Sequence, residues 1–503
     1  MKKGKVWLVG AGPGDQGLFT IKGREVLQNA DVVLYDSLVG PGVLAMIPDS
    51  ARVINVGKRS SHHTMPQWKM NELILEEAQK GNRVVRLKGG DPFLFGRGGE
   101  ELELLAENGI PFEVVPGITS PIAVPAYNGI PVTHRDFTLS LHIITGHKKA
   151  GDVYDIDFHA LVQTRGTLVF LMGIASLRDI CKGLLDAGMD PEMPAAVLQK
   201  GTTARQKKIV ATISTLADKV KRQGVETPAI IVVGKVCSLA DTFEWYEKLP
   251  LAGYRVLVTR PRGLASEMSA RLRKEGADVL EVPAIATVPI ENNLKLIHAI
   301  QNLQDYQWIV FTSPSGVKIF FDQMRTSEID IRNLSHLRIA AIGKGTAREL
   351  GKYGLIPDLI PPRFDGEALG EWIARKADPD DRILIPRAEI GSQAILQKLS
   401  AFAVDDIPTY HTIYLRSEAV NETELFEHGE IDCAAFTSSS GVKAFLASNP
   451  DLDYSLVKAA CIGKQTQATA DAAGMKTFCA EKATIESLLE LIIRMHNQDK
   501  GNA

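Results

Sequence analysis

Short apolar runs at Val6–Val9, Val32–Tyr35, Val53–Val56, Arg83–Leu87 and Phe112–Val115 are separated by stretches of helical periodicity such as Asn71–Gln79. Alternation of strand and helix predicts a largely parallel sheet over the first 115 residues. A second block from Thr138 carries strand candidates at Leu139–Thr145, Thr167–Met172, Ala195–Gln199 and Ala229–Val233, a second α/β lobe. The pattern breaks at Trp245–Gly253 and restarts with the strand-like Tyr254–Arg262, which marks the main boundary. Beyond it the chain repeats itself. Phe311-Thr-Ser-Pro-Ser-Gly-Val-Lys-Ile-Phe320 returns as Phe436-Thr-Ser-Ser-Ser-Gly-Val-Lys-Ala-Phe445, and Ala341–Ala347 returns as Cys461–Gln467. A two-copy repeat is not a solenoid, which needs three or more units, and predicts two related α/β lobes.

Composition narrows the function classes. A chain of 503 residues holds three or four domains of ordinary size. Its apolar runs fall far short of the ~20 residues of a membrane span, and the stretch Val6–Ala11 ends in Gly12-Pro13-Gly14-Asp15, too short for a signal sequence. A cytoplasmic protein is expected. The formal net charge of -3 argues against a nucleic-acid binder. Five scattered cysteines, with no Cys-x-x-Cys pair, read as reduced thiols. His62-His63 and the His142/His147 pair lack partner ligands at metal spacing, so no metal is expected.

The stretch Arg86–Glu101 carries the strongest chemical signal, because a strand runs into Gly89-Gly90-Asp91-Pro92. Glycine lets a backbone approach a small molecule and reach positive φ, and Asp91 offers a carboxylate to ligand donors. Gly10-Ala-Gly-Pro-Gly-Asp15 also follows a strand, but Asp15 stands where a dinucleotide fingerprint requires its third glycine.

These segments, taken with Asp31–Val39, Val115–Ser120 and Pro131–Asp136 in that order, resemble the tetrapyrrole methylase family, and within it uroporphyrinogen-III C-methyltransferase, over residues 3 to about 245. The resemblance implies a two-lobed fold that binds S-adenosylmethionine, releasing S-adenosylhomocysteine, at Pro13, Gly89, Gly90, Asp91, Leu94, Thr119, Ser120, Met172, Gly201 and Ala229. It implies Asp36 as proton acceptor and Lys58 as proton donor. A carboxylate base suits the proton that methylation of a pyrrole carbon must release; capping of a helix is the bland role for Asp36. A substrate rich in carboxylates calls for cations, and Lys58, Arg59, Arg97, His134 and Arg135 are the candidates. The segment Pro121–Tyr127 departs from the small, serine-rich residues usual there.

Val256–Pro261, the paired Phe-Thr-Ser and Ile-Gly-Lys segments, and Tyr410-His-Thr412 resemble uroporphyrinogen-III synthase over residues 254 to about 495. That family cyclises hydroxymethylbilane with inversion of the last pyrrole ring and loss of water. By motif match Thr312, Ser313, Thr346, Ser438, Ser439 and Thr466 contact substrate, and Tyr410 donates to the departing hydroxyl. A buried tyrosine with a backbone partner is the alternative for Tyr410.

The implied α/β architecture is a two-lobed tetrapyrrole methylase fold (1–245, lobes about 1–115 and 116–245), a linker (246–253) and a two-lobed synthase fold (254–503). In the latter, lobe one combines 254–288 with 412–503 and lobe two is 289–411. A bifunctional enzyme making precorrin-2, acting on tetrapyrroles without nucleic acid or membrane, and a homodimer through the methyltransferase half, are the corresponding expectations. The competing readings are a methyltransferase of RNA or protein on the same fold, and a C-terminal half that only binds ligand.

Overall fold

The computed structural model describes residues 3–57, 65–146, 156–261, 267–414 and 417–501. Lys58, Arg59, the His62-His63 pair and His147 lie outside the described residues. The first sheet comprises β1 (Lys5–Gly10), β2 (Val32–Tyr35), β3 (Arg52–Asn55), β4 (Arg83–Lys88) and β5 (Phe112–Val115), in the order β3-β2-β4-β1-β5. Every pairing in it is parallel. All four residues of β2 are buried, which is why its sequence reads as a continuous apolar run, and β4 is buried from Val84 onward although Arg86 and Lys88 lie in it. Helices Gln67–Gln79 and Gly98–Glu107 supply the crossovers that parallel strands require. Neighbouring strands β4 and β1 send their chains off in opposite directions, to β5 and β2. Ligands of open α/β sheets bind at such a point, beyond the carboxyl ends of the strands.

The second sheet holds β6 (Leu141–Thr145), β7 (Thr167–Leu171), β8 (Pro194–Gln199), β9 (Lys207–Thr212) and β10 (Ala229–Val233), in the order β6-β7-β10-β8-β9. Only β6 and β7 run parallel; the other pairs are antiparallel. Strand β9 is absent from the sequence expectation because it opens with Lys207-Lys208 and buries only Ile209, as an edge strand does.

The remaining strands are β11 (Arg255–Pro261), β12 (Asp278–Pro289), β13 (Trp308–Phe311), β14 (Arg338–Ala341), β15 (Arg382–Ala388), β16 (Ala403–Tyr414), β17 (Cys433–Phe436), β18 (Lys458–Cys461) and β19 (Lys476–Cys479). The chain divides into two compact units. One unit holds the first two sheets and the strand order β12-β11-β17-β18-β19, with β11, β17, β18 and β19 parallel. A single apolar cluster within it joins Val9, Val33 and Val85 to Leu280, Val420 and Phe436. In the stretch 246–253, Tyr246, Leu251 and Ala252 are buried. The other unit, residues 261 and 284–414 among those described, holds β14-β13-β15-β16 in parallel, with Ile285–Pro289 of β12 antiparallel to β16.

The sequence repeat is a structural repeat, present once in each unit. Ser313 caps helix Pro314–Thr326 after β13, and Ser438 caps helix Ser439–Ser448 after β17. Gly343 precedes helix Lys344–Gly351 after β14, and Gly463 precedes helix Lys464–Asp471 after β18.

Candidate functional site

Three glycines bring the ends of β1, β4 and β5 into backbone contact. A Cβ on Gly117 would stand 2.2 Å from the Gly90 carbonyl oxygen and 2.7 Å from Gly10 Cα, and one on Gly10 would stand 2.5 Å from Gly117 N. Any side chain at Gly10 or Gly117 forces these segments apart. Gly12 and Gly90 exchange backbone hydrogen bonds of 3.2 and 2.8 Å, which fixes Pro13 beside the β4 loop. Gly90 differs from its neighbours: at φ +66° its Cβ direction meets nothing within 4 Å, so this position faces open space. Asp91 accepts the Phe93 and Leu94 N–H groups through Oδ1 (2.8 and 3.1 Å) and the Gly117 N–H through Oδ2 (3.1 Å). The carboxylate therefore stitches the β4 loop to the β5 loop, a structural task that the sequence reading did not give it. Asp15, the departure from the dinucleotide fingerprint, caps the turn Gln16–Leu18 and accepts the Tyr127 hydroxyl at 2.7 Å.

Asp36 follows β2 at the same strand ends. Its Oδ1 accepts the Leu38 and Gly89 N–H groups at 3.0 and 3.4 Å, and its Oδ2 lies 3.6 Å from the Arg86 guanidinium. It caps no helix: the next one, Pro41–Leu44, has Gly40 at that position with no side-chain cap. Beneath the loop lies a charge network that the sequence reading missed. Glu101 is fully buried and its Oε1 accepts Lys88 Nζ at 2.7 Å and Arg86 Nε at 3.3 Å. Burial, then the nearby Arg86 charge, lowers the Lys88 pKa against the opposing pull of Glu101. The available signal was the pair Arg86 and Lys88 at alternate positions in a strand whose other buried residues, Val84, Val85 and Leu87, are apolar.

The other predicted cofactor residues lie at the second sheet, in the loop after β8, in the β5 loop and, for Leu94, in the β4 loop. Gly201 packs against helix Ser120–Tyr127, where a Cβ would stand 2.2 Å from Val124 Cγ1. Thr119 precedes that helix without a side-chain capping bond. Gly14 abuts the same loop, since its Cβ would lie 2.7 Å from Thr203 Cγ2. Phe170 of β7 pairs with Ile231 of β10, so Met172 and Ala229 share one end of the sheet. Met172 is 53% exposed at φ +54° and so is not packed in the core. Leu94 is half-buried.

The predicted cations divide differently. Arg97 is exposed and holds Glu100 in a two-pronged ion pair. His134 Nδ1 accepts the Asp136 N–H at 3.2 Å in an exposed turn with Arg135. Among the described residues no hydrogen bond or ion pair links these three to Gly10, Gly90 or Gly117, and Lys58 and Arg59 lie outside that set. No group of three or more metal-ligating side chains, and no helix long and apolar enough to cross a membrane, occurs among the described residues.

In the unit containing 284–414, Tyr410 is 6% exposed and its hydroxyl shares a 2.7 Å hydrogen bond with Ser313 Oγ, in which either can donate, while Ser313 Oγ accepts the Gly316 N–H at 2.9 Å. Its partner is thus a hydroxyl, not a backbone group. Burial raises its pKa against the smaller opposing effect of Ser313. Thr312 is half-buried and Thr346 buried in the first turn after Gly343. In the other copy Ser438 Oγ accepts the Gly441 N–H at 3.1 Å, Ser439 donates to the Gln465 carbonyl and Thr466 is buried. Thr259 was missed. It is 7% exposed, its Oγ1 has no partner, and it faces the start of helix Ser439–Ser448, 3.1 Å from where a Gly441 Cβ would be.

Residues 5–217 match the family of Tetrapyrrole (Corrin/Porphyrin) Methylases, and residues 266–490 match Uroporphyrinogen-III synthase HemD. The Porphyrin biosynthesis protein HemD of Ruminiclostridium josui is 46% identical over 497 residues, 98% of this chain and 99% of that protein. The chain belongs to this family, a tetrapyrrole methylase fused to a uroporphyrinogen-III synthase. The Uroporphyrinogen-III C-methyltransferase of Bacillus subtilis is 41% identical over 363 residues, 72% of this chain and 74% of that protein. A solved uroporphyrin-III C-methyltransferase from Thermus thermophilus, complexed with S-adenosyl homocysteine, is 39% identical, with a TM-score of 0.41 over 47% of this chain and 99% of that one. The glycine crossing and Asp36 fall in the methylase half, and the repeated serine-capped helices fall in the synthase half.

Proposed function

We propose that the protein is a bifunctional enzyme of tetrapyrrole biosynthesis. The synthase half closes hydroxymethylbilane to uroporphyrinogen III, and the methylase half adds two methyl groups to that product, giving precorrin-2. The observation that carries this reading is the likeness to one HemD protein across nearly the whole chain, with both families matched in tandem. The division into 1–245, 246–253 and 254–503, with the synthase lobes 254–288 plus 412–503 and 289–411, is part of it.

The methylase residues suit S-adenosylmethionine. Gly90 opens onto free space where a Cβ would intrude, Thr119 starts a helix with its hydroxyl uncommitted to capping, and Met172 offers an exposed, polarisable wall. Pro13, Gly89, Gly90, Asp91, Leu94, Thr119, Ser120, Met172, Gly201 and Ala229 would hold it. When bound, this cofactor supplies an electrophilic methyl group. Asp36, oriented by two backbone N–H groups and faced by Arg86, takes the pyrrole proton as general base, and Lys58 is the proton donor.

In the synthase half, Tyr410 gives a hydrogen bond to the departing hydroxyl, with Ser313 fixing its direction. Thr312, Thr346, Ser438, Ser439 and Thr466, and the cations Arg59, Arg97, His134 and Arg135 in the methylase half, hold substrate carboxylates. The protein acts in the cytoplasm, in keeping with five free cysteines, and pairs through its methylase half as a homodimer.

The test is incubation with enzymatically generated hydroxymethylbilane, with and without S-adenosylmethionine, and identification of products by mass and isomer. Uroporphyrinogen III alone, then a dimethylated product when the cofactor is added, is expected. Type I isomer alone would remove the synthase assignment; an unmethylated type III product with the cofactor present would remove the methylase assignment.

A further inference from the structure

The loop Lys200–Gln206 belongs to the methylase match, yet much of what holds it comes from the synthase match. Lys200 and Thr202 flank Gly201 with φ +44° and +66°, left-handed backbone that persists in non-glycine residues only where surroundings impose it. On its inner side the loop meets the predicted cofactor segments. Gly201 packs on Val124, the Asp15 N–H donates to Thr202 Oγ1 at 3.2 Å, and Thr203 touches the Gly14 position. Within the loop the Thr202 N–H donates to Gln206 Oε1 at 2.8 Å, and Thr203 Oγ1 donates to the Lys200 carbonyl at 2.7 Å.

On its outer side it meets carboxylates that are distant in sequence. Arg205 grips both oxygens of Asp432 at 3.0 and 3.1 Å and donates to the Gly429 carbonyl at 2.7 Å. The Ala204 N–H donates to Asp278 Oδ2 at 3.2 Å, and Lys200 Nζ lies 3.7 Å from Glu430. Those acceptors are themselves fixed. Buried Arg255 donates from Nε to Asp278 at 2.9 Å, from its backbone N–H to Asp432 at 2.6 Å and from its guanidinium to Glu430 at 3.1 Å. The loop is thus clamped between the cofactor segments and a rigid acidic cluster of the other half.

We infer that the synthase half sets the cofactor affinity of the methylase half, with Arg205 as the positioning residue that transmits the constraint from Asp432 to Gly201. This rests on the assignment of Gly201 to the S-adenosylmethionine site. Arg205 touches neither cofactor nor tetrapyrrole in this scheme. Its removal frees the strained loop to sample other backbone states, and binding must then reorder it.

In the full-length protein, Arg205→Ala is expected to weaken S-adenosylhomocysteine binding, measured by titration calorimetry, roughly 5- to 150-fold, the range typical of coupling between sites. The KM for S-adenosylmethionine rises in parallel, kcat changes less than twofold, and the rate of uroporphyrinogen III formation stays at wild type. Arg205→Lys, which keeps the charge without the two-pronged grip, falls in between. Arg205→Ala binding within twofold of wild type, while Gly90→Ala weakens binding, would overturn the inference alone. Unchanged binding in both variants would overturn the cofactor-site reading and the inference with it. If Arg205→Ala does not fold, the Arg205→Lys comparison decides on the same terms.

Discussion

Gly90→Ala separates folding from binding more sharply than any other substitution in the methylase half. At φ +66° an alanine pays the left-handed penalty, roughly 1–2 kcal/mol. Its Cβ meets no protein atom within 4 Å, so no packing cost is added. For domains of this size that penalty lowers Tm by only about 2–4 °C per kcal/mol. The same methyl group projects into the space assigned to the cofactor, where overfilling costs about 1–3 kcal/mol, or roughly 5- to 150-fold in affinity. Gly117→Ala provides the contrast: a Cβ 2.2 Å from the Gly90 carbonyl displaces backbone, so stability and binding fall together. Gly99→Ala, with ordinary φ and an open Cβ direction, leaves both unchanged or slightly stabilises its helix. Calorimetric melting and S-adenosylhomocysteine titration on the three proteins complete the comparison. S-adenosylhomocysteine binding within twofold of wild type in Gly90→Ala refutes the placement of the cofactor at the glycine crossing.

Asp36→Asn is expected to slow methyl transfer to uroporphyrinogen by about 10²–10⁴, the range for loss of a general base, while cofactor affinity stays within threefold; single-turnover methylation and calorimetry measure the two. Tyr410→Phe should cut uroporphyrinogen III formation by about three- to tenfold, the worth of one hydrogen bond. Because burial moves the Tyr410 hydroxyl above its ordinary value of 10.0, it is protonated throughout pH 6–9, so a pH–rate profile shows no inflection from this residue there. Glu101→Ala strands Lys88 and Arg86 without their shared carboxylate and should destabilise the methylase half by about 3–5 kcal/mol, seen in urea unfolding monitored at the adjoining aromatic residues.

The strand-to-glycine segment of the candidate methylase site was legible because its signals are local. Gly89-Gly90-Asp91 follows β4 directly, whereas the close approach in the structure is of the Gly10, Gly90 and Gly117 backbones to one another rather than to a small molecule. The repeat was equally readable, since Ser313 and Ser438 cap their helices in the same way. What sequence hid was direction and distance. The strands of the second sheet carry apolar patterns that do not say whether neighbours run parallel, and only β6 and β7 do. Glu101 resembles an ordinary helix-start acid until Arg86 and Lys88 are seen beneath it. Arg205 looks like one more surface cation, because its carboxylate partner lies 227 positions away.

That separation also has a meaning in time. A ribosome adding 5–20 residues per second completes Asp432 roughly 10–45 s after Arg205. The methylase half, which precedes it, is therefore exposed to the cell with its Gly201 loop held only from the inner side, and gains the Asp278 and Asp432 contacts later. Nascent protein passes through an interval in which the proposed cofactor loop has its inner contacts and awaits its outer ones from a later part of its own polypeptide.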